Sequence, residues 1–124
     1  MRALDLILVG DIVKYEANPT YSRDEDTLAS GSGVVQLGTV LGKIASNGKF
    51  KPLNPDATDG SETAVAVIPQ RSDTTAGDQT VVNLKRHALV ALPHLKWPPG
   101  INAAQQATAI NQLEAAGIVA RIGA

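Results

Sequence analysis

The sequence predicts a mainly β fold, with α+β character only in a minor way: a compact β domain carrying one C-terminal helix and an extended N-terminal arm. Three observations lead there. Turn-forming residues recur at short, even spacing from Arg23 onward, the runs between them are short and rich in Val, Ile, Leu and Thr, and one alanine-rich stretch near the C-terminus carries both a helix start and a helix stop. A chain of 124 residues is one domain's worth and buries roughly two-thirds of its unfolded surface on folding. Its aromatic residues are few, Tyr15, Tyr21, Phe50 and Trp97, so the core rests on aliphatic side chains, and burial against other subunits would add what they lack.

Residues 1–22 read as a separate arm. Leu4, Leu6 and Leu8 alternate, Ile12 and Val13 follow, and Asn18-Pro19 makes a turn. A lone strand is unstable in water, so the arm either pairs with the body or waits for another chain to receive it. The stretch from Thr27 to Ile44, TLASGSGVVQLGTVLGKI, then supplies the first turns of a body spanning residues 23–124. Gly31 and Gly33 allow a sharp turn, and Gly38 and Gly42 a bend and a bulge. Strands are expected at Val34 to Leu37, Thr39 to Ala45 and Phe50 to Leu53, the last two joined by Ser46-Asn47-Gly48-Lys49 as a hairpin. A polar loop covers Asp56 to Ser61, a strand Thr63 to Ile68 stops at Pro69, a loop spans Asp73 to Asp78, and the longest strand runs from Thr80 to Leu92, ended by Pro93.

The helix is expected over Ala103 to Ala116. Asn102 caps it, Gln105 three residues on completes a capping box, and Ile101 is placed as a staple. Ala107, Ile110 and Leu113 step along one face, Gly117 suits the left-handed position past the end, and Ile118 to Ile122 forms a last strand.

Composition narrows the chemistry. A formal charge of −1 and the absence of a basic stripe interleaved with aromatics argue against nucleic acid as a partner. The charge is uneven: Asp5, Asp11, Glu16, Asp24, Glu25 and Asp26 dominate the first 30 residues, whereas Lys85, Arg86, Lys96 and Arg121 face only Glu114 in the last 41. Such poles could steer assembly. With no cysteine there is no disulfide, thiolate zinc site or thiol nucleophile, which suits a reducing compartment. The apolar run Leu6 to Val9 is too short and too acidic in its flanks for a signal peptide or membrane helix, so no membrane partner is expected.

The glycine-rich stretch lacks the motif of a nucleotide loop, since no helix start follows Gly33 and Gly42-Lys43 is followed by Ile44 rather than a hydroxyl residue. A hydrolase would have to draw on His87 or His94, with Asp78 or Asp73 as orienting carboxylate; His87, beside Lys85 and Arg86, reads better as a strand-face residue and His94 as a loop residue. Asp24-Glu25-Asp26 lies on an extended chain whose neighbouring side chains diverge, so it reads as an acidic patch rather than a metal loop. Trp97 with Pro98 could form a sugar platform, but reads better as a plug for the core or for a subunit contact.

Taken in order, Tyr21-Ser-Arg23, Thr27-Leu-Ala-Ser-Gly-Ser-Gly33, Gly38-Thr-Val-Leu-Gly-Lys43, Gly48-Lys-Phe-Lys-Pro-Leu53, Asp59-Gly60, the Trp97-Pro98 loop and Gly117-Ile-Val119 resemble the bacteriophage head decoration proteins. The resemblance implies a β-clip-like body, a homotrimer that caps three-fold sites of the expanded head against the pressure of packaged DNA, and the major capsid protein as partner. It brings no catalytic residue, metal or cofactor. It also implies residence on the outer surface of the virion after synthesis in the host bacterial cytoplasm, and an arm that is loose in the free protein and becomes ordered on the capsid; the residues of the arm expected to make that contact, on their apolar pattern, are Leu4, Leu6, Leu8, Ile12, Val13, Tyr15 and Tyr21. The alternative is a small β-clip module that binds a carbohydrate or other ligand through Trp97.

Overall fold

The computed structural model describes residues 13–16, 23–86 and 88–122, and the side chains of all these except Lys14, Tyr15 and Glu16. Among the described residues ten strands and one α-helix follow in chain order: β1 Val13–Glu16, β2 Arg23–Leu28, β3 Val34–Val35, β4 Val40–Lys43, β5 Phe50–Pro52, β6 Ala64–Val67, β7 Ser72–Asp73, β8 Gln79–Leu84, β9 Ala88–Ala91, α1 Ala103–Ala115 and β10 Ile118–Arg121. A short 3-10 turn, Leu92–His94, follows β9. The fold is mostly β with a C-terminal helix.

Five strands close into a barrel in the order β2-β5-β4-β6-β8, β1-β9-β10 form a separate sheet, and β3 pairs with β7. The barrel's firmest seam is antiparallel β2–β8, in register from Arg23↔Leu84 to Leu28↔Gln79. Closure on the other side is slender, with β2 meeting β5 only at Leu28↔Phe50 and β6 meeting β8 only at Val67↔Leu84. The β4–β5 hairpin forms on the Asn-Gly signal: Lys43 lies opposite Phe50, Gly48 takes φ 72°, and Asn47 Oδ1 accepts from Lys49 N at 2.9 Å.

Two cores result. Leu28, Val35, Leu41, Phe50, Ala66, Ile68 and Val81 form one cluster. The second unites barrel residues Val40, Leu53, Ala64, Val67 and Leu84 with Ala88 and Val90 of β9, Leu95, Ala109 and Leu113 of α1, and Ile118 of β10. Neighbours Val40 and Leu41 thus serve opposite cores, the alternation expected of a strand buried on both faces.

Two expectations are corrected, and one strand is added to those expected. The strand expected from Thr80 to Leu92 is two strands in two different sheets, because Lys85 and Arg86 turn their charges to Asp24 and Asp26 and interrupt the apolar run. Arg23–Leu28 is a full strand despite its charge, since β8 gives its backbone a complete partner. On α1 the buried residues are Ala109 and Leu113, one turn apart, while Ala107 is exposed and Ile110 half-buried. The helix lies against β6 and β10 along that face, and Gln112 Oε1 accepts from Ala64 N at 2.8 Å.

The helix ends follow local chemistry. Asn102 Oδ1 accepts from Gln105 N at 2.8 Å while Gln105 Oε1 accepts from Asn102 N at 3.1 Å. Past the C-terminus Gly117 takes φ 94° and donates to Glu114 O at 2.9 Å, handing the chain directly to β10.

Candidate functional site

The root of the arm is the first feature that bears on function. β1 pairs antiparallel with β9, Val13 opposite Val90 and Glu16 opposite Ala88, with an irregularity between Val13 and Tyr15. Val13 packs against the core that holds Val90 and Ile118. β10 runs parallel on the other side of β9, so β1 and β10 are the two edges of this sheet, each without a second strand partner among the described residues. The partner of this part of the arm lies some seventy residues away in the chain, which is why no nearby hairpin signal announced it. Leu4, Leu6, Leu8, Ile12 and Tyr21 lie outside the described residues, as does His87; Tyr15 is placed by its register opposite Leu89.

The glycine-rich stretch is latched from within. Gly31 and Gly33 sit at φ 92° and 64° and carry the chain from β2 to β3. The fully buried Thr74 holds them there: Ser32 N donates to Thr74 Oγ1 at 3.1 Å, and Thr74 donates from its hydroxyl and its backbone to Gly33 O, each at 2.8 Å. Ser30 N donates to Asp78 Oδ1 at 2.8 Å, and Asp78 is paired with Lys49. These backbone donors are spent inside the chain, so the loop is a turn and offers no phosphate cradle. Asp78 is held below the usual carboxylate range first by the Lys49 ammonium and then by Ser30 N. Asp73 Oδ1 accepts from Thr75 N at 2.9 Å, and its bonds to Thr75 lower its pKa likewise. Both carboxylates named for a hydrolase therefore fasten loops.

Gly38 and the Trp97 loop meet. Gly38, at φ 90°, donates to Ile68 O at 2.7 Å and accepts from Lys96 N at 2.8 Å, and Val40 N donates to Lys96 O at 3.2 Å. Trp97 is half-buried and packs against the second core, with Pro98 half-buried beside it. The contact with the core is the plug role expected of Trp97.

Gly42 has a different task. An added Cβ there would meet Ser61 backbone atoms, Cα at 2.6 Å and C at 2.7 Å, and at Gly60 it would meet Lys43 O at 2.5 Å. The loop Asp59-Gly60-Ser61 is thus pressed onto β4, backbone on backbone, where Ala45 N donates to Asp59 O at 2.8 Å and Asn54 N to Ser61 O at 3.0 Å. Asp59 Oδ1 accepts from the Ser61 hydroxyl and from Ser61 N, which lowers its pKa in that order of importance. The β4–β6 register shifts between Leu41 and Gly42, a bulge at the same point.

A charged cluster absent from the expected sites lies where β2 meets the end of β8. Arg86 Nη2 donates to Asp24 Oδ2 at 2.7 Å, Lys85 Nζ lies 3.4 Å from Asp24 and 3.5 Å from Asp26, and the Lys85 ammonium stands 5.2 Å from the centre of the Phe50 ring. The buried Asn83 donates from Nδ2 to Asp26 Oδ2 at 3.2 Å, while its Oδ1 has no donor among the described residues. Arg86 holds the Asp24 carboxyl below its usual range, desolvation opposes this, and Lys85 reinforces it. The two charge poles of the sequence therefore partly neutralise each other inside one chain. The acid spacing at 24 and 26 was the available signal, but nothing local tied it to residues 85 and 86.

A shallow cavity of about 150 Å³ opens beside α1, lined by Leu53, Pro55, Ala109, Glu62, Gln105, Thr108 and Gln112. Its polar side chains bond within the chain: Glu62 to Gly60 N, Gln105 to Asn102, Thr108 to Ala104 O and Gln112 to Ala64 N. Among the described residues no group of three or more His, Asp or Glu side chains is placed to hold a metal, and no helix is long and apolar enough to cross a membrane.

A family model described as bacteriophage lambda head decoration protein D matches residues 7–118. No curated protein matches the chain.

Proposed function

The chain belongs to the bacteriophage lambda head decoration protein D family, whose members are structural capsid proteins, and on that premise we propose that it binds as a homotrimer at three-fold sites of the expanded head and cements the shell against internal DNA pressure. The major capsid protein is the partner, and the residues ahead of β1 are the means of attachment. The observation that carries this reading is the family match itself, which runs through the body and into the arm. The arm's share rests on Leu4, Leu6 and Leu8 alternating just before a strand that forms one edge of its sheet. An extended segment of that kind adds to a free sheet edge in the capsid, the main chain supplying affinity and the alternate leucines register.

The working arm is residues 1–12, with Val13–Glu16 as its root, because Val13 packs into the body's core and β1 is paired with β9. Ordering some ten residues costs about 10–20 kcal/mol, of the same size as the gain from one arm's leucines and backbone bonds. A single arm is therefore a weak anchor. Three arms on one rigid trimer bind at high effective concentration once the first has engaged. They engage together only where three receiving edges have the right separation, which selects the expanded shell.

Deleting residues 1–12 and measuring occupancy of expanded and unexpanded shells by cosedimentation tests the reading. Occupancy is expected to collapse while the solution mass stays that of a trimer. Undiminished binding would remove the arm from the mechanism, and a monomer at working concentration would remove the avidity.

A further inference from the structure

The β4–β5 turn carries the dipeptide Asn47-Gly48, a pair with a chemistry of its own. In such a pair the backbone nitrogen after the asparagine can approach the side-chain carbonyl carbon, because glycine has no Cβ to obstruct it. The other asparagines among the described residues lack this neighbour. Asn54 is followed by Pro55, which has no N–H. Asn83 is fully buried in β8 and followed by Leu84, Asn102 is fastened in its capping box, and Asn111 lies inside α1. Asn47 and Gly48 are both exposed.

The fold ties down both reacting groups. Gly48 N donates to Ile44 O at 2.8 Å, and Asn47 Oδ1 accepts from Lys49 N at 2.9 Å. Ile44 N donates to Lys49 O at 2.8 Å and closes the loop, and Lys49 is tethered by its ion pair with Asp78. The Gly48 nitrogen must lose its proton before it can attack, and that proton is engaged by Ile44 O. Asp59-Gly60 is the comparable pair, and it is held harder. Gly60 N donates to Glu62 Oε1 at 2.9 Å, Asp59 Oδ1 accepts from the Ser61 hydroxyl and from Ser61 N, and a Cβ at Gly60 would lie 2.5 Å from Lys43 O. An aspartate must also be protonated before water can leave it, and the Ser61 hydroxyl and then Ser61 N keep Asp59 ionised.

We propose that Asn47 is a spontaneous deamidation site whose rate is set by opening of the β4–β5 turn. In the opened turn the Gly48 N–H gives its proton to solvent, the nitrogen bonds to Asn47 Cγ, and the Cγ–Nδ2 bond breaks with release of ammonia. Water then opens the cyclic imide at either carbonyl, leaving aspartate or isoaspartate. Aspartate keeps the backbone and an oxygen for Lys49 N. Isoaspartate adds a methylene to the main chain of the loop, which disturbs the register that sets Lys43 opposite the fully buried Phe50. The site is independent of the capsid reading.

Peptide mapping of the full chain in mildly alkaline buffer, against the same chain unfolded in urea at the same pH and temperature, measures how far the fold slows conversion at Asn47. Amide hydrogen exchange at Gly48, native against unfolded, measures the opening itself. If one opening serves both reactions, the two slowing factors are equal, on the order of 10–100 for an exposed turn closed by a few hydrogen bonds. A mismatch of about tenfold or more overturns the gating: faster conversion places the attack in the closed turn, slower conversion in a rarer state. Lys49→Met removes the Asp78 tether and leaves the Asn47-Gly48 pair in place. Conversion and Gly48 exchange are then expected to quicken by the same factor, and a change in one without the other overturns the link. Native conversion that appears first at Asp59 or at another described asparagine overturns the site itself, as does an unfolded chain that leaves Asn47 intact.

Discussion

Replacing Gly42 by alanine should be a strongly damaging one-methyl change in the body. The Gly42 φ is not positive, so alanine meets no backbone strain there and gains about 0.4–1 kcal/mol from a stiffer unfolded chain. Against that, the new Cβ meets backbone atoms of Ser61, the α-carbon at 2.6 Å and the carbonyl carbon at 2.7 Å, with the carbonyl oxygen also in the way. Backbone does not step aside as a flexible side chain would, and this segment is held by Ala45 N to Asp59 O and Asn54 N to Ser61 O. Overpacking against such a wall costs about 3 kcal/mol, the upper part of the usual range. Less the gain, about 2–2.6 kcal/mol remains, which for a domain of this size lowers Tm by roughly 6–13 °C. Thermal melts followed by circular dichroism give the number, with Gly100→Ala as comparison: Gly100 has φ 79° and nothing within 4 Å of its would-be Cβ, so it carries backbone strain alone, about 1–2 kcal/mol. A Gly42→Ala protein that melts within a degree of the parent, or above Gly100→Ala, would show that the contact between β4 and the Asp59-Gly60-Ser61 loop is not a fixed feature of the fold.

Asn102→Ala removes one half of the capping box and should cost about 1 kcal/mol, visible as a Tm loss of a few degrees that Asn102→Asp largely restores. Leu113→Ala empties a fully buried position between α1 and the sheets, and a loss of about 2–5 kcal/mol in urea unfolding is expected. Asp24, Asp59, Asp73 and Asp78 all have pKa values below the ordinary aspartate value, so each contributes stability that is present above that value, near pH 4, and is lost as pH falls through the lowered one. The urea midpoint should therefore be flat from pH 7 to about 5 and fall below 4, with a shallower fall in Asp24→Asn; an acid limb that does not change would show that Arg86 and Lys85 do not act on Asp24.

Local signals alone settled several elements. The Asn47-Gly48 turn and the short runs around it are enough for the β4–β5 hairpin, because two strands joined by a tight turn need no distant partner. Asn102, Gln105 and Gly117 delimit α1 for the same reason, since capping bonds reach three or four residues. Pro69 and Pro93 stop strands wherever they stand. The glycines at 31, 33 and 38 mark turns, although only the structure shows that Thr74 and Lys96 hold them.

Tertiary structure decided the rest, and in each case the deciding partner is far away in the chain. Arg23–Leu28 reads only as an extended acidic stretch until β8 supplies its hydrogen bonds and Lys85 and Arg86 its counterions. The same two cations divide one apolar run into β8 of the barrel and β9 of the other sheet. Val13 belongs to the core only because β9, seventy-odd residues on, receives β1. Spacing along a chain records turns and faces; which edges meet, and which charges cancel, depends on a closure that no short stretch contains.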